Sequence, residues 1–187
     1  MRILITFLII FFYSSIKANS INVIRDAEIE NLLNDISRIL VRGTQLENDV
    51  LTFYLDNQKF INALVTPDKK FFFTTELLLK SKNVEDVAGV ISHEIGHVMG
   101  GHFQKRQKKM EKNSVINILS SILAVGAIAG GAYDAGTAIL MGGQHLGTSR
   151  MLAFSRSQES LADQTAIRLL KKNGFSLQGL INIFSEI

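Results

Sequence analysis

Ser92-His93-Glu94-Ile95-Gly96-His97 is the stretch whose reading decides the rest of the chain. On an α-helix, rising ~1.5 Å per residue, His93 and His97 stand one above the other on one face, where two imidazoles can grip a single metal ion. Glu94 is the next residue in sequence, and its carboxylate can reach a water bound to that ion. The surrounding residues support a helix. Asn83 is a good N-cap, Glu85 and Asp86 suit the first turn, and Val87, Val90, Ile91 and Val98 recur at helical spacing before Gly100-Gly101 ends the run.

The pattern H-E-x-x-H on a helix is that of zinc metalloproteases, whose catalytic ion takes three protein ligands and keeps a fourth position for water. A third ligand must come from elsewhere. His102 falls out of step with the longer histidine pattern, which needs a histidine where Phe103 stands, so it is not expected to bind the metal. Glu159 is the better candidate. Ser155-Arg156-Ser157-Gln158 reads as a capping box opening a second helix that stops at Asn173-Gly174. Glu159 and Asp163 then share a face four residues apart, so that one carboxylate can bind the metal while the other orients an imidazole.

The two segments His93-Glu94-Ile95-Gly96-His97-Val98 with His102, and Ser155 through Asp163, resemble the paired signature motifs of M48 metallopeptidases, most of all the periplasmic beta-barrel assembly-enhancing type. Ile24 to Glu30, Ile61-Asn62-Ala63 and Phe71 to Leu79 resemble the same family, so the likeness covers roughly residues 22 to 185. It implies an α+β, mainly α, zincin-like fold, with a small sheet beside the H-E-x-x-H helix and a second ligand-bearing helix. One Zn2+ per chain is implied, held by His93, His97 and Glu159, with Glu94 as general base and Asp163 as catalytic support. It also implies that the strand Phe71 to Thr75 borders the cleft, where a peptide substrate can add as a further strand. Members usually continue past the position of Phe184 into a His-Pro segment and further helices. Residues that complete the cleft are therefore expected to be lacking.

Composition bounds the rest. The 187 residues, 47% hydrophobic and 20% charged, suit one globular domain with a substantial core. A formal charge of +3 without aromatic interleaving argues against a nucleic-acid surface. With no cysteine, any zinc must be held by nitrogen and oxygen. Met1-Arg2, the apolar Ile3 to Tyr13 and the small polar Ser14 to Ser20 read as a signal peptide over residues 1–20, leaving a metallopeptidase domain at 21–187. That places the protein in the periplasm.

Asp26 to Arg42 reads as an amphipathic helix, Val50 to Leu55 as a strand, and Ile61 to Val65 with Phe71 to Thr75 as a hairpin around Pro67. After the basic Lys105 to Lys112 comes an apolar helical hairpin over residues 114–142, Val115 to Gly130 and Ala135 to Gly142, then a flexible Gly142 to Thr148 in which His145 is incidental. The hairpin can cover the cleft or contact a membrane peripherally. The expected function is envelope proteolysis of misfolded or unassembled outer-membrane proteins, in peripheral contact with the membrane or the outer-membrane assembly machinery. The alternatives are a zinc-stabilised holdase with little proteolysis and a membrane-integrated protease.

Overall fold

The computed structural model describes residues 22–186, so the signal-peptide reading of 1–20 lies outside the described residues. The elements run β1 (Val23–Ile24), α1 (Ala27–Val41), β2 (Thr52–Asp56), β3 (Ala63–Val65), β4 (Lys70–Thr74), α2 (Thr75–Lys80), α3 (Val84–Met99), α4 (His102–Ala129), α5 (Tyr133–Lys172) and α6 (Gln178–Glu186). This is a mainly helical α+β fold with a small mixed sheet. Strand order is β1-β2-β4-β3, parallel between β2 and β4 and antiparallel elsewhere.

The sheet forms because the aromatic run alternates. Phe53 pairs with Phe71 across the parallel ladder and their rings stack at 4.9 Å, with Phe73 6.0 Å from Phe53. These rings point inward and are wholly buried, meeting Leu33, Ile36 and Leu40 of α1 and Ile91 and Ile95 of α3. Each such buried side chain contributes roughly 1.5–3 kcal/mol of transfer free energy. The Asp26 carboxylate accepts from the Glu28 and Ile29 amides and so caps α1, which runs one residue inside each end of the expected Asp26 to Arg42.

α3 lies at the centre of the body. Asn83 caps it by accepting from the Asp86 amide at 3.0 Å, and the Asp86 carboxylate, itself buried, accepts from the Lys82 amide and the Asn182 side chain. That second bond pins α6 beneath the start of α3. Gly179 sits so close that any side chain there would meet the Glu85 backbone, which fixes the approach of the two helices.

Three expectations are corrected. Phe71 to Thr74 is an interior strand, and the edge of the sheet on the cleft side is β3, because β4 is flanked by β2 on one side and β3 on the other. Ser155 caps nothing: α5 is one continuous helix from Tyr133 to Lys172. Gly142 to Thr148 is likewise helical rather than flexible. The chain's only proline is Pro67, so nothing between Tyr133 and Lys172 forbids a helix, and each interior glycine costs only ~1 kcal/mol, offset here by packing against α4. α4 similarly starts at His102 and carries the basic cluster and the apolar run on a single helix.

Candidate metal centre

The site lies where α3 ends, α4 begins and α5 passes across them. Gly96 lets α3 and α5 come together, since a Cβ there would stand 2.7 Å from the Ala162 carbonyl oxygen. That close approach carries Glu159, one turn before Ala162 on α5, up to the two histidines of α3. The chain leaves α3 through Gly101, whose φ of 59° is a left-handed conformation that suits glycine, and re-enters a helix at once with His102.

His93, His97 and Glu159 converge. The Nε2 atoms of His93 and His97 are 3.1 Å apart, and Glu159 Oε2 lies 3.5 Å from the first and 3.4 Å from the second. A tetrahedral zinc ion with ligands at ~2.0–2.1 Å has ligand–ligand edges of roughly 3.3 Å. The three donor atoms therefore already form one face of such a tetrahedron.

Hydrogen bonding selects the right tautomers. His93 Nδ1 donates to Asp163 Oδ1 at 2.9 Å, which leaves the Nε2 lone pair free. His97 Nδ1 lies 2.9 Å from His102 Nδ1, so one of the two nitrogens must carry the proton. If His97 donates, its own Nε2 lone pair joins that of His93, and the His102 proton sits on Nε2. His102 Nε2 is buried and has no hydrogen-bond partner among the described residues, whichever tautomer it adopts. Burial, then the neighbouring His93, holds His97 at a pKa of about 4 against the usual 6.5. Burial followed by His97 does the same to His102. Both rings are therefore neutral at pH 7 and offer lone pairs.

Glu94 is buried on the same cleft wall, and desolvation, then the Glu159 carboxylate, lifts its pKa to about 7, with the Val65 backbone pulling the other way. The cleft, about 330 Å³, is bordered by Asn62 to Val65 of the β3 edge and by His93, Glu94, His97, Phe103, Arg106, Glu159 and Phe184. An open strand edge beside a cluster of metal-ligating side chains and a buried carboxylate suits hydrolysis of an extended chain.

The sequence-derived site residues His93, Glu94, His97, Glu159 and Asp163 all meet here, and His145 stays exposed on α5, away from the cluster. The sequence reading missed the partner role of His102, which lies on a different helix from His97 and so shows no face periodicity with it. It also missed Gln158, whose Nε2 donates to the His102 carbonyl at 3.0 Å, and Phe184, whose ring meets His93 edge-on at 5.1 Å. Two acceptable signals were present: His102 opens a helix directly after the metal helix, and Gln158 adjoins Glu159.

The sequence profile of Peptidase family M48 matches residues 24–187. Among curated proteins, the chain is 26% identical over 179 residues to the Beta-barrel assembly-enhancing protease of Yersinia pestis, covering 94% of this chain and 36% of that protein. It is 24% identical over 164 residues to the protein of the same name from Escherichia coli strain K12, covering 88% of this chain and 34% of that one. Metalloprotease YcaL of the same strain is 32% identical over 120 residues, 59% of this chain and 41% of its own length. The chain thus spans only about a third of the length of the beta-barrel assembly-enhancing proteases it matches.

Proposed function

The chain belongs to peptidase family M48, and from that premise we propose that it is a zinc-dependent endopeptidase of the cell envelope with a zincin-like active site. The observation that carries this reading is the donor triangle of His93, His97 and Glu159, 3.1 to 3.5 Å on a side, with the buried Glu94 carboxylate in the same cleft.

Zinc held by His93, His97 and Glu159 would supply Lewis acidity toward a scissile carbonyl and toward the attacking water. Glu94 takes the proton from the attacking water and passes it to the leaving amine. Burial of Glu94 favours its protonated form, which suits the uptake half of that transfer. Asp163 and His102 hold the two imidazoles so that both Nε2 lone pairs face the same point. The β3 edge pairs with the substrate backbone, and side chains alternate between the cleft and solvent. Recognition of this kind reads extended backbone before sequence, which suits unfolded protein chains. Relatives named beta-barrel assembly-enhancing protease support β-barrel proteins in the course of assembly as the substrate class, which in the cell envelope would be unassembled or misfolded outer-membrane proteins.

The test is digestion of an unfolded protein by the purified chain, with chelator and with zinc restored, alongside metal content by mass spectrometry. One zinc per chain and chelator-sensitive cleavage are expected. A chain that binds zinc and suppresses aggregation yet leaves the substrate uncut would overturn the enzyme reading in favour of a holdase.

A further inference from the structure

The α4/α5 hairpin leaves most of its large apolar side chains outside. Asn113, Asn117, Gln144, Thr148 and Met151 border one open gap between the helices, and Asn117, Ser120, Ser121, Leu140 and Gln144 another. The backbones approach closely there: a Cβ on Gly136 would stand 2.7 Å from the Ala124 carbonyl, and one on Gly143 2.8 Å from Ser120 Oγ. The outer surface of α4 carries the apolar residues. Ile122, Leu123 and Val125 are 63%, 64% and 64% exposed, and Val115, Ile118 and Leu119 are more than half exposed. Water-soluble helix pairs bury such residues and face polar groups outward, whereas small and hydroxyl residues at the seam with an apolar exterior are the arrangement of helices packed in lipid.

The charge pattern identifies the occupant. Lys105, Lys108, Lys109 and Lys112 recur at helical spacing on one stripe of α4, and the same stripe continues as Ile116, Leu119 and Leu123. From Asn113 to Ser149 the one Asp, Glu, Lys or Arg is Asp134, at the turn end. We propose that the outer face of α4 docks on an anionic lipid bilayer, its aliphatic side chains entering the acyl boundary while the lysine stripe reaches the phosphates. A second copy fits this face poorly, since it would bring the same lysines with only Glu111 among them. Among the described residues, α4 is the helix long and apolar enough to cross a membrane. Its uncharged part, Asn113 to Ala129, is however only ~25 Å long against a hydrocarbon thickness of ~30 Å, so the helix embeds without crossing. Phe103 and Arg106, on the first turns of the same helix, border the cleft, so docking holds the cleft beside the lipid surface. The inference does not depend on the metal chemistry.

The absence of cysteine permits a clean test. A single cysteine is placed at Leu119 or at Val50, an 83% exposed position in the body, and labelled with an environment-sensitive fluorophore. The full-length protein is mixed with vesicles of phosphatidylcholine and phosphatidylglycerol in a three-to-one mixture, or of phosphatidylcholine alone. A blue shift and quenching by brominated acyl chains are expected at Leu119 with the anionic vesicles, while the Val50 label reports no insertion. Replacing Lys105, Lys108, Lys109 and Lys112 by Gln should weaken vesicle binding about tenfold or more. A Leu119 label indifferent to anionic vesicles overturns the proposal. So does a blue shift without vesicles that grows with protein concentration, which would identify a second copy as the occupant.

Discussion

In the body of the molecule Phe53, Phe71 and Phe73 lie wholly inside, whereas in the α4/α5 hairpin most of the large aliphatic side chains of α4 face out and a gap between the helices is lined by Asn117, Ser120, Ser121, Leu140 and Gln144. One chain thus follows opposite rules of burial in two places about one helix apart. The body gains its stability by removing apolar surface from water, and the hairpin withholds apolar surface for another medium. The candidate metal centre sits on the boundary, at the first turn of α4 and the point where α5 rejoins α3, and its three donor residues belong to helices packed in the body.

The largest expected effect follows from that placement. Glu94→Gln should leave one zinc per chain and lower peptide turnover about 10²- to 10⁴-fold. Asp134→Asn, which alters the carboxylate at the hairpin tip, should leave turnover within about twofold, since it lies on no path to the site. Steady-state assays with metal analysis on both variants check this. Comparable losses in the two would break the division of labour between body and hairpin.

Stability should divide the same way. Phe71→Ala removes a ring at 0% exposure from a stack with Phe53 and should cost ~3–5 kcal/mol, whereas Ile122→Ala in the hairpin should fall within about 0.5 kcal/mol. Urea unfolding in lipid-free buffer measures both. An Ile122→Ala loss as large as that at Phe71 would mean that the hairpin face is covered in solution.

A subtler contrast lies within the site. Burial raises the Glu94 pKa from its usual 4.5 to about 7, so the folded metal-free protein binds a proton there more tightly than the unfolded chain does. Stability contributed by this group therefore falls as pH rises from about 4.5 to about 7. His97, lowered to about 4, works the opposite way below its usual 6.5, and comparing the parent with Glu94→Gln removes that common contribution. At pH 8 the metal-free Gln variant should be more stable by on the order of 3 kcal/mol, and at pH 4 the two should coincide. Thermal unfolding across that range is the measurement, and equal stabilities at pH 8 would show that Glu94 carries no burial strain.

How much of this was legible in the sequence depended on the range of the signal. The α3 helix, its Asn83 cap and the α1 stripe were readable because caps and 3.6-residue periodicity are local. The hairpin joining β3 and β4 was marked by Pro67. Which strand forms the edge on the cleft side was not readable, because the parallel pairing of β2 with β4 joins segments whose partnership no local pattern encodes. The false start at Ser155 arose because capping residues tolerate a helix interior when nothing forces a break and a neighbouring helix supports the segment. Glu159 and Asp163 were found from their spacing on a helix, which stays the same wherever that helix begins. The partnership of His102 with His97 was hidden by the Gly100-Gly101 break between their helices.

That partnership provides the finest comparison, between two imidazoles of one helix supported from different regions. His93 is oriented by a carboxylate of the body's α5, and His97 by the first residue of the helix that leads into the hairpin. If His102 serves by accepting the His97 Nδ1 proton, His102→Phe removes the acceptor and should weaken zinc binding ~10- to 100-fold. His102→Asn places a carbonyl oxygen near the Nδ1 position and should recover much of the loss. A purely packing role predicts the reverse order, because Phe fills the buried space better than Asn. Competition with a chromophoric chelator measures the affinity without any turnover, and an Asn variant weaker than the Phe variant would reduce His102 to filler at the mouth of α4.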